Sequence, residues 1–279
     1  MAAFCCMNKR VGDDRMLAVE RAGFIMNELS KKKIVLVAEL SKELKVSEET
    51  VRKDLEKLEK QGKLQKVHGG AYLNEGYSNE TPVSVRAEIF QEVKENLAFS
   101  CMQFIEEKET IFLDCSTTIY HLAKQLVNYE KKLTVVTNSL MSAEKLSANP
   151  NIRLILLGGE LNREAAAFDG YTVFEALERY HIDKAFLSPS GLDGKFGMTD
   201  YTQEQADLRR KVLQESGQCI CVSDETKIGK KGTYIVGGVE KISHLILENP
   251  LQEEDEDLKR KINEFQIHVI TCRKKGKNE

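Results

Sequence analysis

Residues 46–71, VSEETVRKDLEKLEKQGKLQKVHGGA, constrain this chain more than any other stretch. They join a polar-capped amphipathic helix to a short basic hairpin with almost no connecting residues. Val51, Leu55 and Leu58 recur at helical spacing and define one apolar stripe. Ser47 precedes them as an N-cap, its hydroxyl suited to accept from an early backbone N–H that lacks an intrahelical partner. Gly62 is expected to end the helix, because a left-handed residue there carries no Cβ strain when it is glycine. The outward face of the first two turns offers Glu48, Glu49, Thr50, Arg52 and Lys53. Beyond Gly62, residues 63–67 (KLQKV) alternate as a strand, and Gly69-Gly70 permits a tight reversal.

The preceding residues supply a partner for that helix. Leu36, Val37, Leu40 and Leu44 have helical spacing in LVAELSKEL, and Lys45-Val46 is a short turn into Ser47. A first helix, over roughly residues 16–29, brings Leu17, Phe24, Ile25 and Leu29 to pack on both. Two helices so closely joined, followed by a hairpin, read as a winged helix-turn-helix for double-stranded DNA. The candidate DNA contacts are Ser47, Glu49, Thr50, Arg52 and Lys53 on the helix and Lys66, His68 and Gly69 in the wing. Arg52 suits a bidentate contact to guanine, while Lys66 and His68 suit phosphates. A helical hairpin with no DNA role is the plainer alternative; the coincidence of a wing with a basic helix face argues against it.

Bulk charge neither adds to this reading nor opposes it. The 279-residue chain has a net charge of −3, and residues 16–75 hold 12 Lys and Arg against 10 Asp and Glu, or +2. DNA binding must therefore rest on local charge placement and not on a general basic coat. Seven cysteines, an odd number, show no paired CxxC spacing and no matching histidine set. No metal site and no cofactor are expected. Cys219 and Cys221 flank one residue of an apolar strand and read as buried thiols; Cys5 and Cys6 sit near the N-terminus, and reduced thiols fit a cytoplasmic protein. No apolar run approaches the ~18 residues needed to span a bilayer, so no membrane partner is expected.

The length and the 41% hydrophobic content support two domains. Residues 1–15 read as a disordered extension, 16–73 as the DNA-binding domain, 74–88 as a linker of turn composition, 89–272 as a larger α/β domain, and 273–279 as a basic tail. In the larger domain, apolar runs at 110–114, 133–137, 153–157, 184–187, 219–222 and 244–247 alternate with helical patterns. This predicts a mainly parallel sheet covered on both faces. The acidic run at 253–257 reads as the start of a solvated helix.

Ligands of open parallel sheets collect at the carboxyl ends of the strands. Polar clusters stand at four such ends: 114–118 (DCSTT), 137–139 (TNS), 158–160 (GGE) and 224–227 (DETK). Hydroxyls, glycines and helix starts suit an anion, and Lys227 adds a compact positive charge. Taken one at a time, such residues are more often simple caps and turns.

The motif from Val46-Ser47 through 50–55 (TVRKDL), Leu58, Gly62, Leu64 and 67–71 (VHGGA) resembles the signature of the DeoR family of bacterial transcriptional regulators. The resemblance continues through 114–118, 137–139, Gly158-Gly159, 183–186 (DKAF), Gly191, Gly197 and 224–227. It implies a sugar-phosphate-sensing domain similar in fold to ribose-5-phosphate isomerase, glucosamine-6-phosphate deaminase and the CoA transferases. The implied effector pocket is Asp114, Ser116, Thr117, Thr118, Asn138, Ser139, Gly158, Gly159, Arg209, Asp224 and Lys227. Two positions depart from the family pattern. Cys115-Ser116 stands where Ser-Gly is usual, which adds a side chain where backbone would approach a phosphate. Arg209 stands where many members have lysine, a planar fork in place of a point charge.

The expected function is a sequence-specific regulator, a repressor of a carbohydrate-utilisation operon, whose DNA affinity is set by a phosphorylated sugar or polyol. It would act as a homodimer or homotetramer and not as an enzyme. Two alternatives stand beside this reading. One is a sugar-phosphate isomerase or deaminase carrying a DNA-binding module, with Asp114, Asp193 and Glu204 as its carboxylates; the other is a regulator with no small-molecule ligand. His121, on an interior helix face, and His181, at a strand start, form no catalytic arrangement with those carboxylates.

Overall fold

The computed structural model describes residues 17–32, 34–67, 69–73 and 83–272, and contacts divide the chain between Ser78 and Asn79 into two compact units. The extension at 1–15, linker positions 74–82, the tail at 273–279, and Cys5, Cys6 and His68 lie outside the described residues.

In the first unit, α1 (Ala18–Lys32) leads into β1 (Ile34–Leu36), α2 (Val37–Leu44), α3 (Glu48–Lys60), β2 (Gln65–Val67) and β3 (Gly70–Tyr72). Ile25 and Leu29 of α1, Leu40 and Leu44 of α2, and Val51, Leu55 and Leu58 of α3 form one core with Leu64 and Ala71. Lys45 makes the turn between α2 and α3 in the left-handed conformation (φ 53°). The Ser47 hydroxyl caps α3 by accepting from Thr50 N at 3.2 Å, and Gly62 follows the helix at φ 68°.

Leu36 is the exception to the sequence reading. It does not begin α2 but ends β1, which pairs antiparallel with β3 to make a three-stranded wing sheet, β1-β3-β2. An apolar run of four residues cannot be divided between strand and helix by periodicity. Pairing with a distant strand decides it. That pairing also explains Gly70: a Cβ there would stand 2.3 Å from Val35 O, so only glycine lets β1 and β3 approach. Val37 N donates to Gly69 O at 2.8 Å and Lys66 N to Glu59 Oε1 at 2.8 Å, which tie the wing to α2 and α3.

The second unit begins with α4 (Val83–Glu88) and α5 (Gln91–Cys101). Val83–Glu88 falls within the stretch read as linker, yet it is helical, with Val83 and Ala87 buried. The chain continues through β4 (Thr110–Leu113), α6 (Thr117–Leu126), β5 (Leu133–Thr137), α7 (Leu140–Leu146) and β6 (Ile152–Leu156). A hairpin of β7 (Glu160–Asn162) and β8 (Ala167–Asp169) precedes α8 (Tyr171–Leu177), β9 (Ile182–Leu187), β10 (Gly191–Asp193), β11 (Gly197–Asp200) and α9 (Gln203–Glu215). The last elements are β12 (Ser216–Ser223), β13 (Tyr234–Gly237), β14 (His244–Leu247), α10 (Glu256–Glu264) and β15 (His268–Thr271).

Seven strands form a parallel sheet in the order β15-β14-β12-β9-β4-β5-β6. Side chains alternate across it. Ile111, Leu113, Val135, Phe186, Ile220, Val222 and Ile246 pack with α5 and α6 on one face. Phe112, Val136, Leu187, Cys219, Cys221 and Leu245 pack with α8, α9 and α10 on the other. Both faces are therefore apolar, which is why the strands read as continuous apolar runs. The short strands β10, β11 and β13 form a separate antiparallel sheet. The strand order reverses at β4: β5 and β6 extend to one side, while β9, β12, β14 and β15 extend to the other. The crevice between the carboxyl ends of β4 and β9 is the topological switch point, where ligands of such sheets bind.

One charged contact ties the first unit together. Asp54 sits on the buried face of α3, and Arg21 of α1 grips it through Nε–Oδ2 at 2.6 Å and Nη2–Oδ1 at 3.2 Å. Asp54 is 4% exposed, so losing its partner would leave a carboxylate with little water. Replacing Arg21 by Met is therefore expected to destabilise the helix-turn-helix unit by about 1.5–3 kcal/mol, read as a lower chemical-denaturation midpoint. An unchanged midpoint would mean that the pair adds nothing.

Candidate functional site

Two groups of residues were expected to be functional, and the structure places them in separate units. On α3, Glu48, Glu49, Arg52 and Lys53 share the outward face. Arg52 Nη2 pairs with Glu48 Oε2 at 2.6 Å and Lys53 Nζ with Glu49 Oε1 at 3.6 Å, both one turn apart. Their side chains are about half exposed or more, so these pairs hold the cations along the helix face without removing them from water. Ser47 and Thr50 hydroxyls lie 2.9 Å apart at the start of the helix. Ser47 is thereby placed as the cap. Lys66 and Gly69 lie in the wing, with Gly69 exposed at φ 92°.

The strand-end group lies along one edge of the sheet because β12, β9, β4, β5 and β6 are consecutive in it. At the switch point, Asp114 follows β4 and Ser188 follows β9. Arg209 of α9 fills this crevice. Its Nε and Nη2 reach Asp114 Oδ2 at 2.9 and 2.8 Å, Nη1 reaches Asp200 Oδ2 at 2.5 Å, and Nη2 also donates to Ser188 O at 3.3 Å. The carboxylates are held in turn. Asp114 accepts from Ser116 N at 2.9 Å and Ser188 N at 2.8 Å, and Asp200 accepts from Ser190 N and Oγ at 3.0 and 2.8 Å. Burial works against the Arg209 charge, but Asp200 and then Asp114 outweigh it and raise its proton affinity above the usual value. A guanidinium so engaged positions the crevice walls; its donors point at protein.

Several other expected residues act as caps. Ser116 Oγ accepts from Ile119 N at 3.2 Å at the head of α6, and Ser139 Oγ accepts from Ser142 N at 3.2 Å at the head of α7. Asp224 Oδ1 accepts from Thr226 N at 3.1 Å. Cys115 turns its thiol against Ala165 and Ala167 beneath the β7–β8 hairpin, and burial pushes it up to about 12, so it stays protonated. Gly159 is required by packing: a Cβ would meet Asp169 O at 2.4 Å. Gly158 has open space and its carbonyl accepts from Thr172 Oγ1 at 3.3 Å.

What remains is a set of buried polar atoms with no hydrogen-bond partner. They include Thr118 Oγ1, Asn138 Oδ1 and Asp224 Oδ2, on residues each 1% exposed. Lys227 Nζ stands 3.7 Å from that Asp224 oxygen and donates to Ser188 Oγ at 2.6 Å. Thr117 and Thr118 open α6, where the first backbone N–H groups have no intrahelical acceptor. Buried polar groups are ordinarily satisfied, so these orphans, after β4, β5 and β12 of one sheet, stand out against their neighbours.

Three contributors escaped the sequence reading: Ser188, Asp200 and Lys94. Lys94 interrupts the apolar stripe of Leu97, Ala98 and Cys101 on α5, and that interruption is the signal that would have found it. It is 1% exposed, and its Nζ donates to Ile89 O at 2.6 Å and to Arg86 O. Burial lowers its proton affinity to about 7, with Asp224 raising it and Lys227 and Arg86 lowering it. Of the carboxylates considered for proton transfer, Asp114 is locked to Arg209, Asp193 accepts from Lys195 N and Phe196 N in a turn, and Glu204 is exposed. Among the described residues no group of three or more His, Cys, Asp and Glu is placed to hold a metal ion, and no helix is long and apolar enough to cross a membrane.

The Asp114–Arg209–Asp200 arrangement predicts a severe effect of truncation. Arg209→Met should cost about 3–5 kcal/mol, because two buried carboxylates lose their counter-ion. Arg209→Lys should cost less but still lower the melting temperature, since one ammonium cannot span both partners in the fork geometry. A melting temperature unchanged in Arg209→Met would refute the role. His121 supplies a pH test. A carbonyl can only accept, so Nε2 carries the proton toward Ala87 O at 3.0 Å, and Nδ1 is buried without a hydrogen bond. Burial lowers its proton affinity to about 4, so the unfolded chain takes up a proton below pH 6.5 while the folded one does so only near 4. The stability tied to neutral His121 is present above pH 6.5 and lost as pH falls toward 4, by up to about 3 kcal/mol. Subtracting the stability curve of His121→Gln from that of the unsubstituted chain should expose this loss; parallel curves would contradict it.

Comparison with known proteins identifies both domains. The DeoR-like helix-turn-helix domain matches residues 21–76, and the DeoR C terminal sensor domain matches residues 89–249. An uncharacterized HTH-type transcriptional regulator, YulB, of Bacillus subtilis strain 168 is 36% identical over 236 residues, 85% of this chain and 91% of its own. The HTH-type transcriptional repressor GlcR of the same organism is 32% identical, over 83% of this chain and 88% of its own. The L-fucose operon activator of Escherichia coli K12 is 31% identical, over 74% and 85%. Among solved structures, ribose 5 phosphate isomerase A from Neisseria gonorrhoeae overlays 49% of this chain and 52% of its own at 18% identity, with a TM-score of 0.37. That partial overlay carries no argument about chemistry. Two family matches and relatives covering most of both chains establish identity: the chain belongs to the DeoR family of helix-turn-helix transcriptional regulators.

Proposed function

We propose that this regulator represses a carbohydrate-utilisation operon and that a phosphorylated sugar or polyol, bound at the strand ends, sets its DNA affinity. The observation that carries the effector half is the set of buried, unpartnered atoms Thr118 Oγ1, Asn138 Oδ1 and Asp224 Oδ2 beside Lys227. Their chemistry is divided. Lys227 and the first N–H groups of α6, with Thr117 and Thr118, suit a phosphate. Asn138 and Asp224 offer acceptors for sugar hydroxyls, and Gly158, after β6, has open space around it. Ser116 and Ser139 contribute as caps that orient the helix heads, and Arg209 and Asp114 shape the pocket wall.

The DNA half rests on Arg52, Lys53 and Thr50 on the outward face of α3, with Lys66, His68 and Gly69 in the wing. Arg52 is the base-reading candidate and Lys66 a phosphate contact. A single module touches few phosphates, so we assign a homodimer or homotetramer that engages two half-sites and gains in effective concentration. A regulator of a chromosomal operon works in the cytoplasm. The operon activator among the relatives shows that the family label leaves the sign of regulation open; repression is the reading we adopt from the repressor relative.

The test uses an operator selected from random duplexes. Arg52→Ala should weaken binding to it by about 1–3 kcal/mol in a gel-shift titration. With a panel of pentose and hexose phosphates, Lys227→Ala and Thr118→Val should each bind the active member at least about tenfold more weakly by calorimetry, the loss of a charge-assisted hydrogen bond or more. Wild-type affinity in both variants would show that the strand-end residues are only caps.

A further inference from the structure

The helix α4 is the first described element after the segment that joins the two units, and groups from α5, α6 and the β7–β8 hairpin hold both of its ends. At its carboxyl end, three carbonyls within four residues accept from buried side chains. Arg86 O and Ile89 O accept from Lys94 Nζ, and Ala87 O accepts from His121 Nε2 at 3.0 Å. At its amino end, Val83 N donates to Glu164 O at 3.2 Å. A six-residue helix has little stability of its own, and its position depends on these anchors.

Each anchor leads back to the candidate effector site. His121 lies on α6 one turn beyond Thr117 and Thr118, so a shift of the helix head moves the imidazole with it. Glu164 lies in the β7–β8 hairpin, which is stitched to the residues after β5. Phe168 N donates to Asn138 O at 2.9 Å, Asn138 Nδ2 to Phe168 O at 3.0 Å, and Leu140 N to Ala166 O at 2.9 Å. Lys94 feels the charges of Asp224 and Lys227, the two groups expected to meet an effector's polar atoms. An anion seated at Lys227 changes the field at Lys94 and hence the strength of its grip on the α4 carbonyls.

We propose that α4 is the transmitting element of this regulator, with His121, Lys94 and the backbone of Glu164 as positioning groups that couple occupancy of the strand-end site to the segment leading to the DNA-binding unit. This rests on the effector reading above. A ligand shifts a conformational equilibrium only through groups that differ between its states, and α4 is where elements linked to the site meet the chain that leaves the sensor domain. Lys94 and His121 are thereby given a function beyond packing.

The full-length protein is titrated with glucose 6-phosphate, fructose 6-phosphate, ribose 5-phosphate and inorganic phosphate, with binding read by calorimetry and operator affinity by gel shift. Amide hydrogen exchange of peptides covering residues 83–94 is followed with and without the compound that binds. Binding is expected to change exchange in those peptides. In His121→Leu the compound should still bind within about threefold of its normal affinity, while the operator response, about fivefold or more in the unsubstituted chain, falls below about twofold. His121→Gln, which keeps a donor toward Ala87 O, should restore the response, as mere filling of space would not. If a sugar phosphate binds and alters operator affinity while exchange at residues 83–94 is unchanged, or while His121→Leu responds normally, the transmission role is overturned and the effector reading stands. If none of the panel binds, both fall together. The exchange measurement needs no substitution, so it decides the matter even if His121→Leu does not fold.

Discussion

The sensor domain depends on one buried ionic contact. A doubly wound parallel sheet leaves a crevice where its strand order reverses, here between the ends of β4 and β9, and something must fill or line it. Arg209 enters from α9 and binds Asp114 and Asp200 at once, joining the main sheet, the small antiparallel sheet and a covering helix. Burying three charges is expensive unless every lone pair and N–H is engaged. Here the remaining oxygens, Asp114 Oδ1 and Asp200 Oδ1, accept from Ser116 N and from Ser190, and Ser188 N adds a second donor to Asp114 Oδ2, so both carboxylates are fully engaged. The same contact fixes where Asp114 and Ser188 end their strands, and thereby where Lys227, which donates to Ser188, presents its ammonium.

A polar residue at a strand end can bond to the backbone or leave its side chain unsatisfied, and neighbours here divide between the two. Ser116, Ser139 and one oxygen of Asp224 satisfy backbone N–H groups. Thr118, Asn138 and the other Asp224 oxygen do not, and they are as deeply buried as the caps beside them. Desolvating such groups costs free energy that a partner must offset. Rigid caps around unsatisfied neighbours keep the latter preorganised. Near them, the ammonium of Lys227 stands 3.7 Å from the unsatisfied Asp224 oxygen and donates to Ser188 Oγ.

The DNA-binding unit shows the opposite balance. Among the described residues its most buried ionic contact, Arg21 with Asp54, is structural, while Arg52 and Lys53 on the α3 outward face pair with neighbours one turn away. Exposed pairs of this kind are worth about 0–1 kcal/mol, so Glu48 restrains Arg52 only weakly. Glu48 and Glu49 also limit the net basic charge of the domain, which leaves recognition to placement.

The sequence by itself determined the elements whose signal is local. Helical spacing placed α2 and α3, the Ser47 cap and Gly62 marked the limits of α3, and continuous apolar runs announced strands buried on both faces. The strand-end clusters were legible for the same reason, since a polar residue directly after an apolar run stands at the end of a strand. Only tertiary structure decided what depends on distant partners. Leu36 became a strand residue because β3 pairs with it, and Val83–Glu88 became a helix because Lys94, His121 and Glu164 anchor its ends. Arg209 and Lys94, each a charge on an apolar helix stripe, took their roles from carboxylates and carbonyls that no spacing along the chain brings near. Which of Thr118, Ser116, Asn138 and Ser139 cap a helix and which stay unsatisfied is likewise a matter of angstroms, because one residue type performs both tasks and local sequence carries no distance between strands.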